Sequence, residues 1–284
     1  MEDTGKNIIR IGLFDRYFEP SAEWLELLDI ARENERVIRC MYPSAEEQEE
    51  AACNLIPGDT WIFQAALWAL KDVRKFCEFC LMLRGPFKGA RQRKLAREQS
   101  RLLRYLAEGA PIPDSPESVL KLWETANRLE PRWADDLPAH FRTPLEDIPF
   151  SHEFFPPNPR PVPDGYFSSP PEEIRADLLC LLDQLHGDDL PHEISAFISY
   201  YQFLRIHPFP DGNGHTARML CCGLLFRDYS AVTLTVFLRQ MQDNHDLVSK
   251  FVNEANKKNG NLCSECCQLI RFLIQGQEHV KGNS

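Results

Sequence analysis

Residues 207–218 read His-Pro-Phe-Pro-Asp-Gly-Asn-Gly-His-Thr-Ala-Arg, placing two imidazoles, a carboxylate, an amide, two glycines and a guanidinium within one short stretch. Asp211-Gly212-Asn213-Gly214 is turn chemistry that lets successive backbone N–H groups point the same way. Where such a turn opens into a helix N-terminus, the donors and the positive end of the helix dipole favour anions, phosphates above all. Arg218, about one turn into that helix, offers a planar fork suited to phosphate oxygens. Asp211 would then hold Mg²⁺, an ion that keeps several waters and needs few protein ligands. At the other end of the loop, a neutral His207 imidazole can take a proton from an incoming hydroxyl.

Two buried helices must position this loop. Ile194, Phe197, Ile198, Tyr201 and Leu204 recur at helical spacing before it, and Ala217, Leu220, Cys221, Leu224 and Leu225 do so after it. Pro208 and Pro210 disfavour continuing the first helix, which puts the break at the chemistry. The alternative is a plain helix–turn–helix connector with a capping Asn, a reading that does not require His207, Asp211 and Arg218 together.

The segment resembles the signature of the Fic family, His-Pro-Phe, two residues of which the second is acidic, Gly-Asn-Gly, an arginine, two residues and an arginine. The resemblance implies a mainly α fold, a Fic-type helical bundle with a small β-hairpin flap. Family members transfer the AMP moiety of ATP to a Ser, Thr or Tyr hydroxyl of a target protein. By that resemblance His207 is the general base, Phe209 an inward anchor, Asp211 the Mg²⁺ ligand, Gly212, Asn213 and Gly214 the anion hole, and Arg218 the holder of the terminal phosphates. One position departs: His215 stands where the family has its first arginine, so a fixed positive charge gives way to a group mostly neutral at neutral pH. Gly214 favours AMP transfer over the Doc branch, which carries Lys there and phosphorylates its target. Three functions follow: a protein adenylyltransferase using ATP and Mg²⁺, a Fic-fold transferase with another nucleotide or phosphate-linked donor, or a weakened nucleotide-binding or protein-interaction module.

The rest of the chain sets limits. Its 284 residues can bury a substantial core, and 43% hydrophobic with 26% charged residues is an ordinary globular composition. A net charge of −10 argues against nucleic acid or an anionic membrane as partner. No apolar run is long enough to span a bilayer and the first residues are acidic, so the expectation is a cytoplasmic protein, with secretion as an effector left open. Among ten cysteines, Cys77/Cys80 and Cys263/Cys266 form two Cys-x-x-Cys pairs almost two hundred residues apart. That is far from zinc-ribbon spacing, and both lie in helical-looking stretches, so reduced, partly buried thiols are expected.

Residues 111–116, Pro-Ile-Pro-Asp-Ser-Pro, make the best linker and divide the chain into an N-terminal helical region, 1–110, and a Fic domain, 111–284. In the first region the pattern predicts a helix around Trp24–Ile30, another from Trp61 to Leu83, and a basic one over residues 88–104 whose only acid is Glu98 and whose buried face is Leu95, Leu102 and Leu103. Phe141-Arg142-Thr143 resembles the family's Phe-Arg segment. Residues 144–171, rich in proline and aromatics, take the place of the flap, which by resemblance docks the target's backbone as an added strand. Further helices are expected through Leu178–Leu182, from about Pro191, over 232–241, 247–255 and 267–274. Many Fic proteins are held off by an internal helix carrying Ser or Thr, three residues, Glu, then Gly or Asn. No clean copy is present, and Glu33-Asn34 and Glu108-Gly109 come nearest. Regulation is accordingly open to an inhibitory protein, a diverged internal segment, or none.

Overall fold

The computed structural model describes residues 9–11, 13, 16–55, 90–127, 140–143, 168–187, 190–257 and 260–282. The expected helix from Trp61 to Leu83, the pair Cys77/Cys80 and the flap up to residue 167 lie outside them. Ten helices and one small hairpin make up the described chain, so the fold is mainly α.

The hairpin, β1 (Ile9–Ile11) and β2 (Arg16–Phe18), pairs Ile9 with Phe18 and Ile11 with Arg16. Sequence patterning gave no sign of it, since three residues per strand are too few for an alternating pattern to register. It is held at the other edge by the turn before the last helix, Tyr17 exchanging main-chain hydrogen bonds with Gly260 and Leu262.

Helix α1 (Ala22–Met41) starts at Ser21, whose hydroxyl accepts from the Trp24 N–H, and buries Trp24, Leu28, Ala31 and Ile38 on one stripe. Helix α2 (Ala45–Asn54) carries a full capping box between Ser44 and Glu47. The basic stretch forms α3 (Ala90–Ala107), burying Leu95, Leu102 and Leu103 as the spacing predicts. Helices α4 (Pro116–Asn127) and α5 (Ile174–His186) follow.

At the centre lies α6 (His192–Ile206), buried on almost every face, and α7 (Asn213–Leu225) packs along it across the motif loop. A helix apolar all round must have neighbours all round. Those neighbours are α5, α7, α9 (His245–Lys257) and α10 (Cys263–Gly282), while α8 (Ala231–Asp243) packs on α2, α3 and α10. Helices α1 and α10 lie together, so residues from before and after the linker share one core.

Buried carboxylates fix α1 to that core. Glu193, fully buried at the start of α6, takes a bidentate pair from Arg32 at 2.9 and 3.0 Å and a hydrogen bond from the Tyr229 hydroxyl. Glu35 accepts from the Ser230 N–H, a donor at the start of α8 with no intrahelical partner, and from the Thr233 hydroxyl. Six of the described cysteines are buried and all of the described ones are free thiols, including Cys263, Cys266 and Cys267 in α10. Among the described residues no cluster of three His, Cys, Asp or Glu side chains could hold a metal, and no helix is long and apolar enough to cross a membrane.

Candidate active site

Helix α6 ends at His207, which takes a left-handed backbone (φ 51°) while its N–H still closes on Phe203 O. This conformation costs a non-glycine residue about 1–2 kcal/mol, so the surroundings must hold it. They do so with an aromatic anchor and a guanidinium. Phe209, 1% exposed, stacks on Phe141 with centroids 5.6 Å apart and lies against Trp123 and Phe203. Its ring thus packs the loop into the core. Arg142 donates from Nε to His207 O at 2.5 Å and from Nη2 to Ser169 O at 2.7 Å, and its own N–H donates to Pro208 O.

The turn itself is drawn tight. Asn213, buried, spends its side-chain amide on Phe209, accepting from that residue's N–H and donating to its carbonyl, so it braces the loop from within. Gly212 sits at φ 82°, and a Cβ there would fall 2.5 Å from Asn127 Oδ1 and 2.7 Å from Trp123 Nε1. Only glycine meets both demands. Trp123 Nε1 donates to Asp211 O, and Asn127 Nδ2 donates to the Thr216 hydroxyl, so one face of α4 cradles the turn. Gly214 lies in the first turn of α7, where first-turn N–H groups have no intrahelical partners.

Asp211 is exposed, with Oδ1 accepting from the Gly212 N–H at 2.7 Å. A single outward carboxylate fits a Mg²⁺ shared with nucleotide phosphates and water better than a resident all-protein site. His207 is neutral: burial and then the Arg142 charge lower its pKa to about 4, against smaller opposing effects from the Leu204 backbone and Asp211. A neutral imidazole is the form that can accept a proton.

Arg218 is already occupied. Its Nε donates to Glu98 Oε1 at 2.5 Å, with the two side chains 11% and 3% exposed, and the Tyr200 hydroxyl interacts with the same guanidinium. Burial pushes the Glu98 carboxyl up, but Arg218 first and His215 second outweigh it and bring it to about 2. His215 Nδ1 lies 3.4 Å from Glu98 Oε2, and both atoms are buried without a hydrogen-bond partner closer than each other. Glu98 is thus bonded to Arg218 and lies beside His215.

The two glutamates nearest the Fic inhibitory pattern lie elsewhere. Glu33 pairs with Arg36 and Glu108 with Arg104, both on exposed helix surface away from the loop. Glu98 escaped notice because Lys94 replaces the hydroxyl residue and Gln99 the small one. Its signal was a lone acid placed among the apolar positions of a basic helix. Trp123, Asn127 and Arg142 were also missed as loop-holding residues. The spacing of Trp123 and Asn127 puts them on one helix face, but nothing local says what that face meets.

Residues 146–225 match the family model described as Fic, Fic/DOC family. A relative named Protein adenylyltransferase Fic, from Nematostella vectensis, is 38% identical over 113 residues, which is 39% of this chain and 24% of the relative. The chain therefore spans about a quarter of that relative's length. The crystal structure of a Fic family protein from Desulfovibrio desulfuricans G20 superposes with a TM-score of 0.60 at 15% identity, covering 93% of this chain and 75% of the other, a likeness of fold. His207, Phe209, Asp211, Gly212, Asn213, Gly214 and Arg218 are thus assembled at the junction of α6 and α7, inside the stretch that matches the Fic/DOC family model.

Proposed function

We propose that the protein is a nucleotidyltransferase that moves AMP from ATP to a Ser, Thr or Tyr hydroxyl of a target protein, and that it is held off in this conformation by Glu98. The observation that carries the reading is the neutral, loop-pinned His207 facing a turn that opens into α7, with Arg218 one turn further on. In this reading His207 takes the hydroxyl proton as the oxygen attacks the α-phosphorus, and pyrophosphate leaves. The N–H groups of Asn213 and Gly214 at the start of α7 receive the phosphates, joined by that of Gly212 once Asp211 Oδ1 releases it. Asp211 would hold Mg²⁺, which would supply neutralising charge at the phosphates, and Arg218 holds the terminal phosphates once Glu98 releases it. The rate comes from positioning and preorganised charge. A target would reach the site along residues 144–171, and residues 111–284 would form the Fic unit, with the clamp supplied from 1–110. Cytoplasmic placement is part of the same proposal.

The test is the intact mass of Glu98→Gly protein incubated with Mg²⁺ and ATP, alone and with a lysate. An AMP adduct that disappears in Glu98→Gly/His207→Ala supports the reading, and no adduct in any sample refutes it. A second reading, a different donor, is favoured by one observation: His215 replaces a permanent cation and leans on Glu98. In Glu98→Gly protein, His215→Arg raises transfer from ATP if the ancestral donor is retained, and leaves it unchanged if the pocket serves another.

A further inference from the structure

We propose that Arg142 is a positioning residue for the reaction, holding His207 in its left-handed conformation and tying that base to the chain that carries the target. The proposal rests on the AMP-transfer reading for its kinetic consequences and on target docking along residues 144–171 for its link to the target.

The last carbonyls of a helix have no intrahelical partners. At the end of α6 they meet Arg142: its Nε lies 2.5 Å from His207 O, its Nη2 3.5 Å from Ile206 O, and its backbone N 2.8 Å from Pro208 O. Three successive carbonyls around the base therefore converge on one residue from a distant stretch of chain. The guanidinium also places a positive charge at the negative end of the α6 dipole. A fork with several donors can serve divergent acceptors at once, which an ammonium does less well.

The same Nη2 reaches Ser169 O at 2.7 Å. Arg142 precedes the segment assigned to target docking and Ser169 falls at its far end, so both ends of that segment are registered against His207. Ser169 is fixed in turn by its hydroxyl on Asp177 of α5, and the neighbouring Phe141 is fixed by stacking on Phe209 and by Arg175 above its ring. A chain of contacts thus runs from α5 through Ser169 and Arg142 to the base. The charged groups acting on the imidazole are Arg142, which disfavours protonation, and Asp211, which favours it.

The experiment compares Arg142→Lys and Arg142→Gln in the Glu98→Gly background, with two readouts. In transfer kinetics, Arg142→Gln is expected to lower kcat on the order of 10²-fold with KM for ATP little changed, because a base displaced by about an ångström loses that much. Arg142→Lys falls between. In NMR titration of the His207 ring, Arg142→Gln raises the midpoint above its wild-type position near 4, with burial still holding it below 6.5, while Arg142→Lys keeps it low. Lower thermal stability with kcat and the midpoint both unmoved would overturn the proposal, leaving Arg142 a structural cap. If no variant transfers AMP, the activity reading fails and the titration alone decides for or against Arg142.

Discussion

Glu98 and Arg218 form a buried pair in which each charge is tolerable only because of the other, since desolvation alone would disfavour both. Removing the carboxylate leaves a buried cation, at a cost of about 3–5 kcal/mol by analogy with other broken pairs. Glu98→Gly is therefore expected to melt at lower temperature than the wild type, yet to gain more stability from Mg-ATP, because phosphates replace the missing carboxylate; thermal shift with and without nucleotide checks both. At His207 the residue scale makes a pH prediction. Because burial and Arg142 hold the imidazole neutral down to about 4, kcat/KM of the released enzyme should fall on the acid side near pH 4 and not near 6.5. A pH–rate profile with its acid limb at 6.5 would contradict that assignment. The motif residues were legible in the sequence because their types and spacing are themselves the signal. Glu98 was not, since the partner that gives it meaning, Arg218, lies 120 positions along the chain.

At the scale of elements, close approach of backbones decides more than side-chain type. Gly276 on α10 faces α8, where an added Cβ would lie 2.9 Å from Val236 Cγ2, 3.1 Å from Val236 C and 3.2 Å from Phe237 N. Backbone cannot swing aside as a flexible side chain can. Gly276→Ala is expected to push α8 and α10 apart and cost about 1–3 kcal/mol in urea unfolding, with the motif loop unaffected. Helices α6, α7 and α8 were readable from apolar periodicity, and α10 proved longer than its apolar stretch: Asn261 caps its start at the Cys263 N–H, and Lys281 near its end pairs with Glu278 one turn back and reaches Asn34 of α1. The hairpin was unreadable because its second edge is a turn more than two hundred residues away.

Across the whole molecule, two groups central to the site make stability depend on acid in separate windows. His207 has its folded pKa lowered from 6.5 to about 4, so its contribution is fully present above pH 6.5 and is lost as pH falls toward 4. It amounts to at most about 3 kcal/mol, less where water reaches the ring. Glu98, lowered from 4.5 to about 2, loses its contribution between those values. Unfolding free energy measured against pH should fall from 6.5 to 4 in wild type and less steeply in His207→Ala. Below 4.5, Glu98→Gly should lose the second slope. The measurement that bears most directly on the central claim is transfer of label from ATP marked at either the α- or the γ-phosphate, for wild type, Glu98→Gly and Glu98→Gly/His207→Ala. The account predicts protein-bound label from the α-position alone, strong in Glu98→Gly, weak in wild type and absent in the double variant. Label from the γ-position, or equal labelling of wild type and Glu98→Gly, would contradict it.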